Sequence, residues 1–206
     1  MKDIFQRLSA PFPPDRVSWR VGSVNKEKLR GMALAYIDAR DVMERLDDVL
    51  SPAGWQNEYP HANGKTVCRI GIRVSDDLGA EWVWKSDGAG DSDIEAEKGA
   101  LSDAFKRAAV RWGIGRYLYD LASPWVEVEP MGKSFRIADK EHPRLRQLLR
   151  GAELLPLAKE KSKIGVDAYK DWYLALPIED RNTLSEYHAD LKSAAIAASA
   201  PQGKAA

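Results

Sequence analysis

The sequence predicts an α+β fold: an antiparallel β-β-β-α core with flanking helices and a late β-hairpin. Three observations predict it. Trp55–Tyr59, Thr66–Ser75 and Glu81–Lys85 read as strands, and their connections, His61-Ala62-Asn63-Gly64 and Asp76-Asp77-Leu78-Gly79, carry Asn-Gly and Asp/Gly turn chemistry. A helical repeat of apolar residues follows over about 92–112. Then Trp125–Val128 and Ser134–Ile137, joined by Pro130-Met131-Gly132-Lys133, form a second pair of short strands.

Residues 2–9 open the chain as a short helix, ended by Ala10-Pro11-Phe12-Pro13-Pro14. After Trp19-Arg20-Val21, the segment Met32–Ile37 is short and apolar enough for a strand. Asp38 is placed to cap a helix over 39–50, where Val42, Leu46, Val49 and Leu50 recur at helical spacing. Ser51-Pro52-Ala53-Gly54 stops it. In the middle strand of the meander Cys68, Ile70, Ile72 and Val74 share one face, and Val67, Arg69, Gly71 and Arg73 share the other. One side packs on a core and the other is free to meet a ligand. The helix that follows puts Ile94, Leu101, Phe105, Ala108 and Trp112 on one stripe, with Arg107 and Arg111 together along its flank. Trp55 and Trp112 lie on apolar faces and read as core or subunit-contact residues. Gly113 and Gly115 permit a positive backbone angle or close packing where the helix ends. From about 151 the composition shifts toward Ala and Lys. The expected division is therefore a core domain over 1–150 and a helical tail over 151–206. The tail holds helices near 166–176 and 181–196 and a disordered end over 197–206.

Composition narrows the function. Lys and Arg total 31 and so do Asp and Glu, which argues against a polycation that coats nucleic acid over its whole surface. Residues 1–30 nevertheless carry Lys2, Arg7, Arg16, Arg20, Lys26, Lys28 and Arg30 against Asp3, Asp15 and Glu27, so any nucleic-acid site is a localised groove. No apolar run is long enough to span a membrane, and the first residues lack the apolar core of a signal peptide. Cys68 is the lone cysteine, which fits a reducing, cytoplasmic setting. Gly64-Lys65-Thr66 resembles the end of a phosphate-binding loop, but Tyr59 stands where that loop needs glycine. Gly88-Ala89-Gly90 fails the dinucleotide fingerprint because Asp93 takes the third glycine position. His61, His142 and His188 are far apart in sequence and do not suggest zinc. The expectation is no cofactor and no enzyme.

The most telling stretch runs from Asp87 to Tyr119. Asp87, Asp91, Asp93, Glu95, Glu97 and Asp103 come first, opposed only by Lys98, and then Lys106, Arg107, Arg111 and Arg116 follow without a carboxylate among them. The helix dipole favours that polarity. It does not require the Phe105, Trp112, Tyr117 and Tyr119 interleaved with the bases. Cations for phosphates beside rings for unstacked bases suit a single-stranded nucleic acid.

Tyr36-Ile37-Asp38-Ala39-Arg40-Asp41-Val42 followed by Gly54-Trp55, and above all Asp103–Gly113 closing in Ile114-Gly115-Arg116-Tyr117-Leu118-Tyr119, resemble the Rad52/Rad22 family of single-strand annealing proteins. The closing segment is similar to the phage and bacterial branch. The resemblance covers about residues 15–125. It implies a β-β-β-α core that assembles into rings or open spirals, with single-stranded DNA in a positive groove and complementary strands annealed without ATP. It places Lys106 and Arg107 on the family's phosphate-gripping pair. The family's third helix arginine falls on Val110, leaving Arg111, one residue on and about 100° round the helix, as its substitute. The arginine early in the first helix falls on Asp41, with Arg40 one before it, and an aromatic of the eukaryotic members is Pro52 here. The connection at 86–94 is short and acidic, which sets the chain apart from members with a secondary outer DNA site.

The DNA-binding candidates are thus Lys106, Arg107, Arg111, Arg40, Arg69, Arg73 and Arg116. Arg69 and Arg73 either line the groove wall or keep a sheet face soluble. The expected function is ATP-independent binding and annealing of single strands by a homo-oligomer, in DNA repair or phage recombination, in the cytoplasm of a bacterium or phage-infected host. Two other readings stand beside it. One is a magnesium-dependent nuclease using the acidic cluster at 87–97. The other is an adaptor whose C-terminal helices dock a single-strand-binding protein or an exonuclease.

Overall fold

Helix α1 (Lys2–Ser9) runs into the prolines at 11, 13 and 14, so its last carbonyls need outside donors. Arg45 supplies them. Its guanidinium donates to the carbonyls of Arg7, Leu8, Ala10 and Pro11 and sits 4.1 Å over the Phe12 ring. The computed structural model describes residues 2–62, 65–76, 79–88 and 97–199. Strand β1 (Ser18–Val24) is longer than Trp19–Val21 suggested, and β2 (Arg30–Tyr36) begins two residues before the apolar segment. Helix α2 (Ala39–Leu50) has the expected bounds, with Val42 and Leu46 fully buried. The Asp38 amide at its start donates to the Asp41 carboxylate at 3.0 Å.

Strand β5 (Lys65–Asp76) is the centre of the expected meander and pairs antiparallel with β3 (Trp55–Glu58), β4 (His61–Ala62) and β6 (Gly79–Gly88). Residues 63–64 and 77–78, in the two predicted turns, lie outside the described residues. Ile70 stands opposite Asn57 and Lys85, and Gly71 opposite Gln56 and Trp84. Directly paired residues share a face. Cys68, Ile70 and Ile72 therefore share theirs with Val83, Lys85 and Asp87, while Arg69, Gly71 and Arg73 share theirs with Trp82 and Trp84.

Helix α3 (Glu97–Arg111) packs on the first of these faces through Ala104, Phe105, Ala108, Ala109 and Trp112, all buried. The predicted stripe needs one correction. Leu101 is 47% exposed, because the buried stripe begins a turn later at Ala104 and Phe105, and its alanines bring helix and sheet close. Ile94 and residues 92–96 lie outside the described residues. The Trp112 indole N–H donates to the Ile70 carbonyl at 3.1 Å, and Trp55 packs 6.0 Å from Phe105, so both tryptophans serve the core. Beyond α3 the chain turns through Gly113 (φ +96) and Gly115 (φ +68). A Cβ at 115 would come within 2.8 Å of Ile37, so both the angle and the space call for glycine there. A 3-10 turn, Arg116–Tyr119, follows, and the Tyr117 hydroxyl accepts the Phe12 N–H at 3.1 Å.

The late hairpin is β7 (Trp125–Met131) and β8 (Ser134–Ile137), turning at Gly132 (φ +60), and the strand order in its sheet is β1-β2-β7-β8. The chain divides into two compact units, one of residues 1–12, 16–23 and 32–125, the other of 13–15, 24–31 and 126–206. The second contains α4 (His142–Ile164), α5 (Val166–Ala175), α6 (Ile178–Thr183) and α7 (His188–Ser199). Helix α4 runs unbroken through residues 150 and 151. The single helix expected over 181–196 is two helices. The chain breaks at 184–187, where Leu184 is buried with Leu154, Ala158, Tyr169, Leu191 and Ala195, and the Tyr187 N–H donates to the Leu184 carbonyl. Arg150 of α4 grips Asp180 of α6 through two hydrogen bonds, at 2.8 and 2.7 Å, and Glu153 through a third. Among the described residues no helix is long and apolar enough to cross a membrane.

Candidate nucleic-acid interface

With its alanine-rich stripe against the sheet, α3 carries its cations along the edges. Arg107 and Arg111, one turn apart, expose 53% and 62% of their side chains. Both turn toward Asp87, which the register places on the α3 side of β6. The Asp87 carboxylate accepts from Arg107 Nε and Nη2 at 3.3 and 3.2 Å and lies 3.8 Å from Arg111 Nε. Lys106 points elsewhere. Only 28% of its side chain is exposed, and its ammonium pairs with Asp103 at 2.9 Å. Neighbouring helical residues are about 100° apart, so the motif's adjacent pair engages two different carboxylates.

The end of α3 gathers more cations. The Arg116 guanidinium donates to the Val110 carbonyl at 3.0 and 2.8 Å, which also accepts the Gly113 N–H, and to the Arg111 carbonyl at 3.0 Å. Lys85, opposite the core residue Ile70, donates to the same Arg111 carbonyl at 3.1 Å and holds its ammonium 4.2 Å over the Trp112 ring. Phe5 stacks on Trp112 with centroids 6.1 Å apart. Burial, then the charges of Arg116 and Arg111, push the Lys85 pKa below the ordinary lysine value. Lys85, Ser86, Val110, Arg111, Arg116 and Tyr119 bound a concavity of about 590 Å³. Neither Lys85 nor Tyr119 was among the candidates. The one sequence signal for Lys85 is a lysine in register with a buried isoleucine.

The remaining candidates lie elsewhere. Arg69 and Arg73 project from the sheet face opposite α3, so the register separates them from Arg107 and Arg111. Arg69 sits 4.2 Å over the Trp84 ring and 3.4 Å from Glu58, and Trp84 lies across Gly71, where a Cβ would meet the ring at 3.0 Å. Arg73 and, on the first turn of α2, Arg40 are exposed without an ion pair to the described residues. Asp41 beside Arg40 is buried and pairs with Arg16 at 3.5 Å. Of the acidic cluster, Asp87 is bound to arginine, and Asp91, Asp93 and Glu95 lie outside the described residues. No cluster of potential metal ligands occurs among the described residues. Burial pushes the Cys68 thiol up to about 11, so it stays a neutral core group.

A family model described as Rad52/22 family double-strand break repair protein matches residues 1–132, from α1 into the late hairpin. Two curated relatives are named single-stranded DNA-binding protein DdrA. The one from Deinococcus deserti is 39% identical over 132 residues, covering 61% of this chain and 61% of the relative. The one from Deinococcus radiodurans is 39% identical over 133 residues, covering 62% and 60%. The match thus spans about three fifths of the length of these relatives.

Proposed function

The chain belongs to the Rad52/22 family of double-strand break repair proteins, and on that footing we propose that it binds single-stranded DNA and anneals complementary strands without a nucleotide cofactor. The observation that carries this reading is the cationic edge of α3. Arg107 and Arg111, more than half exposed, run on to Lys85 and Arg116 at the helix end, with an exposed tyrosine beside them. The names of the two DdrA relatives support the substrate class.

In this reading the arginines hold phosphates and leave the bases outward. Neutralised phosphates lower the repulsion between two strands, and bases held in order meet a complement at little entropic cost. The protein acts by binding and positioning, not by catalysing a reaction, and it works in the cytoplasm in recombination and repair. It assembles as a homo-oligomer, a ring or spiral, so that one groove continues from protomer to protomer. Lys106 lies at the groove floor, where a phosphate competes with Asp103 for its ammonium. Arg40 adds a further cation, and Arg69 and Arg73 form a separate basic patch on the sheet face away from α3. The helices α4–α7 dock a partner such as a single-strand-binding protein or an exonuclease.

Binding of a labelled oligo-dT, followed by fluorescence anisotropy across a salt series, tests the site. Log affinity is expected to fall linearly with log salt, by about 0.7 per phosphate contact. Arg107→Ala/Arg111→Ala should weaken binding and lower that slope by about 1.4. An unchanged slope in the double variant would contradict the site.

A further inference from the structure

The concavity at the end of α3 has two properties that a passing phosphate backbone alone does not require. The first is a cluster of cations. Lys85, Arg111 and Arg116 line it together with Ser86, Val110 and Tyr119, and of the three only Arg111 stands within ion-pair distance of a carboxylate among the described residues, Asp87 at 3.8 Å. The negative end of a helix would ordinarily repel an anion. Here the carbonyls of Val110 and Arg111 are already hydrogen-bonded by Arg116 and Lys85, so the helix end is covered before any ligand arrives. Both cations are also fixed in place. Lys85 is seated over the Trp112 ring and Arg116 makes three bonds to two carbonyls. Lys85 and Arg116 carry like charges near one another, and a bound phosphate would offset their repulsion. Burial first, and then the charges of Arg116 and Arg111, lower the Lys85 pKa.

The second property is the ring. Tyr119 is 72% exposed, and no other ring or cation of the described residues stacks on it. It closes a 3-10 turn fixed at one end by Gly115 and pinned by the Tyr117 hydroxyl to the Phe12 amide. An exposed ring on a held turn beside fixed cations presents both halves of nucleotide recognition, a phosphate seat and a stacking surface. A volume of about 590 Å³ is of the size that holds a small ligand unit.

We propose that this concavity is a single-nucleotide subsite, in which Lys85, Arg111 and Arg116 take one phosphodiester of the bound strand and Tyr119 stacks on the adjoining base. The proposal rests on the single-stranded DNA reading and adds to it a fixed register. Each protomer captures one base of the strand at Tyr119 while the neighbouring bases stay outward.

Photocrosslinking of the full chain to an oligonucleotide of 5-iodo-deoxyuridine, followed by peptide mapping, tests this on the wild-type protein. The crosslink is expected at Tyr119. In anisotropy with oligo-dT, Tyr119→Ala should lose about five- to a hundredfold in affinity, and Tyr119→Phe, which keeps the ring, should recover most of it. Circular dichroism of each variant checks the fold. Crosslinks confined to other residues, or Tyr119→Ala binding as tightly as wild type, would overturn the subsite and leave single-strand binding standing. Wild type that binds no oligo-dT would overturn both.

Discussion

Asp87 holds two arginines that a phosphate would also choose. Arginine forms the same kind of charge-assisted hydrogen bonds with carboxylate and with phosphate, so under the proposed function Asp87 would compete with the strand for Arg107 and Arg111. Asp87→Asn should therefore raise oligo-dT affinity several-fold at fixed salt, measured by anisotropy. A fall would show instead that the carboxylate positions the arginines for the strand. Arg107 and Arg111 were legible in the sequence because residues four apart on a helix share a flank, and a run of bases without acids marks that flank. Lys85 was not legible. A lysine ending a predicted strand reads as solvent-facing until pairing sets it opposite Ile70, beneath the end of α3. Register also decides Arg69 and Arg73. Their shared face could be read from their spacing, but that it lies opposite α3 follows only once the helix is seated on Ile70 and Ile72.

Among the elements, the contact of α3 with β5 carries the site, and Trp112 is its anchor. Its ring is buried, its N–H is bonded to Ile70, and it seats Lys85. Trp112→Ala should cost about 3–5 kcal/mol in chemical denaturation and loosen the phosphate seat as well. In the helical unit the Arg150–Asp180 pair joins α4 to α6. Arg150 holds the Asp180 carboxyl below the usual carboxylate range. A carboxyl depressed on folding contributes stability that is full above its unfolded value, about 3.9, and that is lost as pH falls through the lower folded value. Asp180→Asn should therefore destabilise the helices at neutral pH and make their loss below about pH 4 shallower, followed by circular dichroism. Helix α2 was read with its correct ends because a cap, a periodic stripe and a Ser-Pro-Ala-Gly stop agree. The break between α6 and α7 left no such mark. No glycine or proline stands at 184–187, and burial of Leu184 is a tertiary event.

At the scale of the molecule, 31 bases balance 31 acids, so the proposed affinity for DNA has to come from the arrangement of charges and not from their sum. The family was legible because its signature helix is a local sequence, while the division into two compact units rests on contacts far apart in the chain. A protein that only binds and positions strands needs no metal, so annealing should proceed unchanged in excess chelator. Magnesium-dependent loss of a labelled strand would favour the nuclease reading instead. The most direct measurement is the annealing rate of two complementary oligonucleotides without nucleotide, for wild type and for Lys106→Ala/Arg107→Ala, with light scattering to follow assembly. Wild type is expected to accelerate annealing, and the double variant, still assembled, is not. Well-assembled wild type that leaves the rate unchanged would contradict the proposed function.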